Sequence, residues 1–117
     1  EVDAALSDAP RIEKTSFSCA DEPTFMKALR AFDRDQVVLA GIEAHVCVLQ
    51  TAFDLRARGF RVFVAADAVG SRSESNRSIA LARLAAADVR VTCVESVLFE
   101  WTRAAGTDVF KAVSALV

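Results

Sequence analysis

The sequence has few of the features that mark several large classes of protein. It has no apolar run near the roughly 20 residues that a membrane-spanning helix needs, and its 14 basic and 16 acidic residues are scattered and give a net charge of −2. This balance disfavours binding to nucleic acid or to an anionic membrane, so we expect a small-molecule substrate. The N-terminus lacks a basic and then apolar signal pattern, which predicts a cytoplasmic protein.

Cysteine and proline are also scarce. The three cysteines, Cys19, Cys47 and Cys93, are odd in number, lie far apart and form no C-x-x-C pair, so a disulfide framework and a zinc site are both disfavoured. The two prolines lie near the start, and no repeat, low-complexity tract or interdomain linker interrupts the chain. We therefore expect a single domain over residues 1–117, without a metal or a cofactor.

Apolar periodicity predicts strands that alternate with helices. Three apolar runs are typical of buried strands, namely Val37–Ala40, Arg61–Ala66 and Val89–Thr92. Helical spacing of apolar residues predicts helices capped by Asp21, Ser73 and Asp108, and others from Val46 and from about Ser96. This alternation predicts an α/β fold, a three-layer Rossmann-like parallel sheet with helices on both faces.

The residues suited to chemistry follow the first predicted strand. Ligands bind at the carboxyl ends of strands in open parallel sheets, and the sharp turn expected after Ala40 lies at such an end. Cys47 would lie in the first turn of the next helix, where free N–H groups and the helix dipole stabilise a thiolate. The same groups could bind a developing oxyanion. Position alone leaves two alternatives, a nucleophile or a cysteine that only packs in the core.

The stretch GIEAHVCVLQTAFDLRARGFRVFVAADAVGSRS, which begins at Gly41, resembles the small single-domain branch of the isochorismatase-like cysteine hydrolases. The resemblance extends upstream to IEKTSFSC and downstream through ALARLAAADVRVTCVESVLFEW to FKAV, about residues 11 to 117. It implies that a cysteine, a lysine and an aspartate act together to hydrolyse C–N bonds of small amides. The matching positions are Cys47 for the nucleophile and Lys14 for the lysine.

The resemblance also implies a local backbone arrangement beside the nucleophile. The family has an unusual cis peptide bond before the nucleophile turn, which falls here between Ile42 and Glu43. The backbone N–H groups of Glu43 and Cys47 would then form the oxyanion hole.

The third family residue, the aspartate, has no matching position. In the family it ends an apolar strand far upstream of the lysine, whereas Asp3 and Asp8 lie close to Lys14 and outside any apolar strand. We assign the role to neither. We expect an N-terminally truncated form, the C-terminal part of the family domain, in which Val37–Ala40 lacks a strand partner. Such a chain should form a homo-oligomer or associate with an N-terminal segment.

The other candidate residues have simpler structural explanations. His45 is two residues from the nucleophile, and its side chain should point away, so it is not expected to act as the base. Cys19 and Cys93 are expected to pack in the structure. The polar loop 71–73 could line a pocket but is more simply a helix cap.

Two functions therefore remain open. The first is a cysteine hydrolase in which Cys47 attacks a small amide-type substrate and forms a covalent intermediate. The second is a non-catalytic α/β module, or an inactive truncated homologue, that acts in assembly.

Overall fold

The computed structural model describes residues 8–117, so Asp3 lies outside the described part of the chain. The centre of the fold is a three-stranded parallel sheet with the order β1–β2–β3. Its strands are Gln36–Ile42 (β1), Arg61–Gly70 (β2) and Arg90–Thr92 (β3). The predicted parallel α/β fold is confirmed.

Helices precede the sheet, connect its strands and follow it. The described residues form the α-helices Pro23–Ala31 (α1), Leu49–Ala57 (α2), Glu74–Ala86 (α3), Val94–Thr102 (α4) and Asp108–Ser114 (α5). Two short turns complete the pattern, a 3₁₀ turn at Cys19–Asp21 before α1 and a π-helical turn at Ala44–Val48 before α2.

The main core lies between the sheet and helices α2 and α3. Val62 and Val64 of β2 point to this side, where Leu55 of α2 and Leu84 of α3 are fully buried. Alternate residues of a strand face opposite sides, so Phe63 points the other way. There it shares a groove with α4, whose Val97 is buried. Helices therefore lie against both faces of the sheet.

The strand ends differ from the sequence prediction. The sequence suggests a turn after Ala40, but β1 continues to Ile42 and pairs with the end of β2. The pairing shifts register between Leu39 and Gly41, and Gly41 has φ +112°, a conformation that residues with a Cβ rarely adopt. Gly41 therefore allows an irregularity within the strand rather than ending it.

Two predicted helix caps are wrong by one residue. Glu22 rather than Asp21 is the N-cap of α1, because Asp21 belongs to the preceding 3₁₀ turn. Thr107 rather than Asp108 caps α5, because its hydroxyl accepts a hydrogen bond from the Phe110 N–H at 3.0 Å. Threonine and aspartate are both good caps, so adjacent candidates cannot be separated by residue type.

Two large apolar side chains near β1 are exposed. Within residues 8–117, β1 pairs with β2 on one side and with no strand on the other. Ile42 at the end of β1 is 76% exposed, and Trp101 of α4 is 70% exposed. Among the same residues, no helix combines the length and the apolar character needed to cross a bilayer.

Candidate active site

Lys14 and Cys47 lie together at the carboxyl end of the sheet. Nζ of Lys14 is 3.7 Å from Sγ of Cys47, although 33 positions separate them in the chain. The same ammonium group donates hydrogen bonds to the backbone carbonyls of Ser16 (2.8 Å) and Phe17 (2.9 Å). This contact places a positive charge beside the sulfur atom. The structure thus brings together the two side chains that the motif paired.

The backbone before Cys47 has an unusual geometry. The peptide bond between Ile42 and Glu43 is cis, and Glu43 is the N-cap of the π-helical turn. Its carbonyl accepts hydrogen bonds from the N–H groups of Val46 (3.1 Å) and Val48 (3.2 Å). Cys47 therefore lies in a π-helical turn, not in the first turn of an α-helix as its spacing suggested. Such turns occur often at functional sites.

A cavity of about 520 Å³ opens beside the sulfur atom. Its walls are formed by four parts of the chain: the loop that carries Lys14 and Phe17 (the Lys14 loop), the π-helical turn, the loop after β2 and the start of α3. The lining residues are Phe17, Glu43, His45, Val46, Cys47, Arg72 and Asn76. A volume of this order suits a small organic molecule. None of the aspartates in the described part of the chain lines it.

One wall of the cavity contains an ion pair that the sequence analysis missed. Nε of Arg72 donates to both carboxylate oxygens of Glu43, at 2.8 and 3.2 Å. From the sequence, Arg72 is expected only in a polar loop that caps a helix or lines a pocket. Opposite charges just after two neighbouring parallel strands are the signal that could have revealed the pair, because such strand ends lie side by side.

The ring of His45 takes part in the same network. Its Nδ1 lies 3.0 Å from the hydroxyl oxygen of Ser71 and 3.4 Å from a carboxylate oxygen of Glu43. These contacts hold the imidazole towards the loop after β2. The loop 71–73 therefore contributes to the cavity wall as well as preceding α3.

None of the remaining candidate groups that the structure describes lines the cavity. Cys19 and Cys93 are half-buried free thiols, and Sγ of Cys93 is 3.1 Å from the hydroxyl of Ser96. Asp8 is exposed. Within residues 8–117, no cluster of histidine, cysteine and acidic side chains is arranged to hold a metal ion.

The comparisons with known proteins agree with this fold. The family model described as the isochorismatase domain matches residues 2–96, and the chain belongs to the isochorismatase family. The chain is 40% identical over 121 residues to the secreted isochorismatase effector Isc1 of Phytophthora sojae, covering 100% of this chain and 58% of that protein.

Two solved structures are also similar. The MAR1 ribonuclease from Caenorhabditis elegans superposes with a TM-score of 0.81 at 38% identity, covering 89% of this chain and 53% of that one. The YcaC gene product of Escherichia coli, described as an octameric hydrolase of unknown specificity, superposes with a TM-score of 0.78 at 31% identity, covering 88% and 51%. The chain thus spans little more than half the length of these relatives.

Proposed function

We propose that this protein is a cysteine hydrolase that cleaves the C–N bond of a small amide. The observation that carries this proposal is the 3.7 Å contact between Nζ of Lys14 and Sγ of Cys47, which lines a cavity of about 520 Å³. Family membership and the hydrolase among its structural neighbours support the reaction type.

The proposed reaction begins with the thiolate of Cys47, stabilised by the Lys14 ammonium. Its sulfur forms a bond to the amide carbon, and the C=O electron pair moves onto oxygen. The N–H groups of Glu43 and Cys47 stabilise this oxyanion, a contribution of about 3 kcal/mol per donor in acyl transfer. When the C=O bond reforms, the C–N bond breaks and the protonated amine leaves. Water then adds to the thioester carbon and the C–S bond breaks. This step releases the carboxylic acid, restores the Cys47 thiolate and returns the proton that the departing amine took up.

The proton transfers need a further group. By the resemblance they belong to an aspartate on an upstream strand, and the described residues contain no counterpart in the cavity. Activity is therefore proposed for the full-length protein, in which residues 1–117 form part of one isochorismatase-like domain. The cation at Lys14 still favours the thiolate without that aspartate.

A role in assembly is the second candidate function. Among residues 8–117 one edge of β1 has no strand partner, and Ile42 and Trp101 are exposed. These features support a role in assembly, since apolar surface of this kind marks contact sites. The E. coli relative is described as octameric. We accordingly propose a homo-oligomer or an association with an N-terminal segment, either of which is compatible with catalysis.

Substrate class and location also remain proposals. A net charge of −2 and a small cavity favour a small molecule over a nucleic acid, although the C. elegans neighbour is named a ribonuclease. The cytoplasmic location stays a prediction, since the Phytophthora relative is named a secreted effector.

An activity screen tests the proposal. The full-length protein is incubated with a panel of aliphatic and aromatic primary amides, and ammonia release is measured, with a labelled RNA as a second substrate. Cys47→Ala should abolish hydrolysis, whereas Cys93→Ala, a matched cysteine outside the cavity, should retain it. Hydrolysis that survives Cys47→Ala, or cleavage of RNA without cleavage of any amide, would overturn the proposal.

A further inference from the structure

The loop that presents Lys14 to Cys47 is held largely by bonds within itself. The Lys14 ammonium donates to the carbonyls of Ser16 and Phe17. The Ser16 hydroxyl lies 3.0 Å from both the Ser18 carbonyl and Oε1 of Glu22, either of which can accept its proton. These bonds fix the ammonium relative to its own loop. They do not fix that loop relative to the elements that carry Cys47.

A buried hydroxyl makes the missing connection. Oγ1 of Thr51 accepts a hydrogen bond from the backbone N–H of Cys19 at 2.9 Å, across 32 positions of sequence. Thr51 lies in the first turn of α2, four residues after Cys47, and is 2% exposed. The neighbouring Ser18 is 1% exposed, so water has little access to the contact. A hydrogen bond shielded from water is stronger than one at the surface.

The residues that follow Cys19 make a second contact with α2. Arg58, at the C-terminal end of α2, donates to the Ala20 carbonyl and lies 3.6 Å from a carboxylate oxygen of Asp21. Along the chain, this second contact is farther from Lys14 than the bond between Cys19 and Thr51. Arg58 therefore offers a matched control, because its loss loosens the segment but leaves the Thr51 bond in place.

We propose that Thr51 is a positioning residue, whose hydroxyl holds the Lys14 loop at the distance that lets the ammonium contact the Cys47 sulfur. Thr51 does not line the cavity, and its hydroxyl is bonded to the Cys19 N–H, so its proposed effect on the sulfur runs through Lys14. The inference rests on the proposed function, because it assigns Thr51 to the same thiolate. If Thr51 only filled the core, its replacement by valine, which has nearly the same shape, would not change the reactivity of the Cys47 thiol.

The test measures how the alkylation rate of Cys47 depends on pH. The folded full-length protein is treated with iodoacetamide at a series of pH values, and label at Cys47 is followed by mass spectrometry. Thr51→Val removes the hydroxyl and should move the midpoint of the profile upwards by about half to one pH unit, so that three- to tenfold less thiolate is present at lower pH. Thr51→Ser, which keeps the hydroxyl, should restore the wild-type midpoint, and Arg58→Gln should leave it unchanged.

A double variant separates positioning from a direct effect. If Thr51 acts through Lys14, adding Thr51→Val to Lys14→Ala should produce no further shift. A folded Thr51→Val protein with the wild-type profile, or shifts that simply add, would overturn the inference.

If Thr51→Val does not fold, the pH profile of Cys47 alkylation is measured for Cys19→Pro instead, and the same upward shift of its midpoint is expected. It removes the donor N–H at the first position of a 3₁₀ turn, after an extended Ser18, where proline fits. If Lys14→Ala leaves the pH profile unchanged, the proposed activation of Cys47 by Lys14 is wrong. This result differs from an unchanged profile in Thr51→Val alone, which would contradict only the role of Thr51.

Discussion

Nε of Arg72 lies 2.8 Å from Oε1 of Glu43, and this ion pair joins the residue that follows β1 to the loop that follows β2. Because the two strands are parallel, their carboxyl ends meet at one edge of the sheet. The pair lines the cavity beside Cys47 and holds Glu43, whose N–H is proposed to bind the oxyanion. A long-range surface contact thus lies next to the proposed chemistry.

Loss of this ion pair should affect hydrolysis more than stability. Arg72→Gln leaves Glu43 without its guanidinium partner, and a misplaced oxyanion donor should lower kcat by about tenfold. The Arg72 side chain is 78% exposed, so the free energy of unfolding should fall by less than about 1 kcal/mol. Amide hydrolysis and urea unfolding measure the two effects.

Arg56→Gln is the matched control for that variant. It breaks an exposed ion pair with Asp88 (3.3 Å) outside the cavity. Its loss of stability should be similar, and its kcat should equal that of the wild type. Equal kcat values for the two variants would argue against a role for Arg72 in the site.

Cys47 should be the most reactive of the three thiols. With limiting iodoacetamide at about pH 6.5, Cys47 should take up most of the label, because Lys14 is 3.7 Å from its sulfur. Lys14→Ala should reduce that preference. Peptide mass spectrometry of the folded protein counts the label at each cysteine, and equal labelling of Cys19, Cys47 and Cys93 would show that no thiol is activated.

The core between the sheet and α3 should be sensitive to loss of volume. Leu84 is fully buried, so Leu84→Ala should lower the free energy of unfolding by about 2–5 kcal/mol. Leu116 is 78% exposed, and Leu116→Ala should change it by less than about 0.5 kcal/mol. Urea titrations compare the two, and similar losses would contradict the assigned core.

The exposed pair between Asp35 and Arg61 should add a small pH-dependent contribution to stability. Hydrogen bonds from Arg61 to both oxygens of Asp35 (2.9 and 3.0 Å) hold the pKa of that carboxyl below its ordinary value of 3.8. A carboxyl with a lower pKa in the folded state stabilises the protein above its unfolded pKa, and this stabilisation disappears as the pH falls through its folded pKa.

Asp35→Asn should therefore be slightly less stable than the wild type at pH 6. The difference between their free energies of unfolding, the stability gap, should narrow in acid. Arg61→Gln should reproduce this narrowing, because it removes the donor to the same carboxyl. Urea unfolding at several pH values measures the gap. A gap that stays constant down to about pH 2 would mean that the pair does not couple stability to pH.

The fold and the contact between Lys14 and Cys47 could be predicted from the sequence for different reasons. Strand and helix alternation follows from local apolar periodicity, which predicted that β1, β2 and β3 belong to one parallel sheet. Lys14 and Cys47 were paired by resemblance to a family motif, since spacing alone left Cys47 as either a nucleophile or a core residue. The π-helical turn around Cys47 was missed because periodicity does not distinguish it from an α-helical turn.

By itself, the sequence determined the class of fold, the family and the identity of the paired lysine and cysteine, because these depend on local patterns and a contiguous motif. The tertiary structure decided the contacts between Arg72 and Glu43 and between Thr51 and Cys19. Each joins residues about 30 positions apart, and their side chains can meet only after the elements that carry them have packed. Such contacts depend on the three-dimensional arrangement of strands, loops and helices. The residue types along the chain do not show which distant side chains will meet.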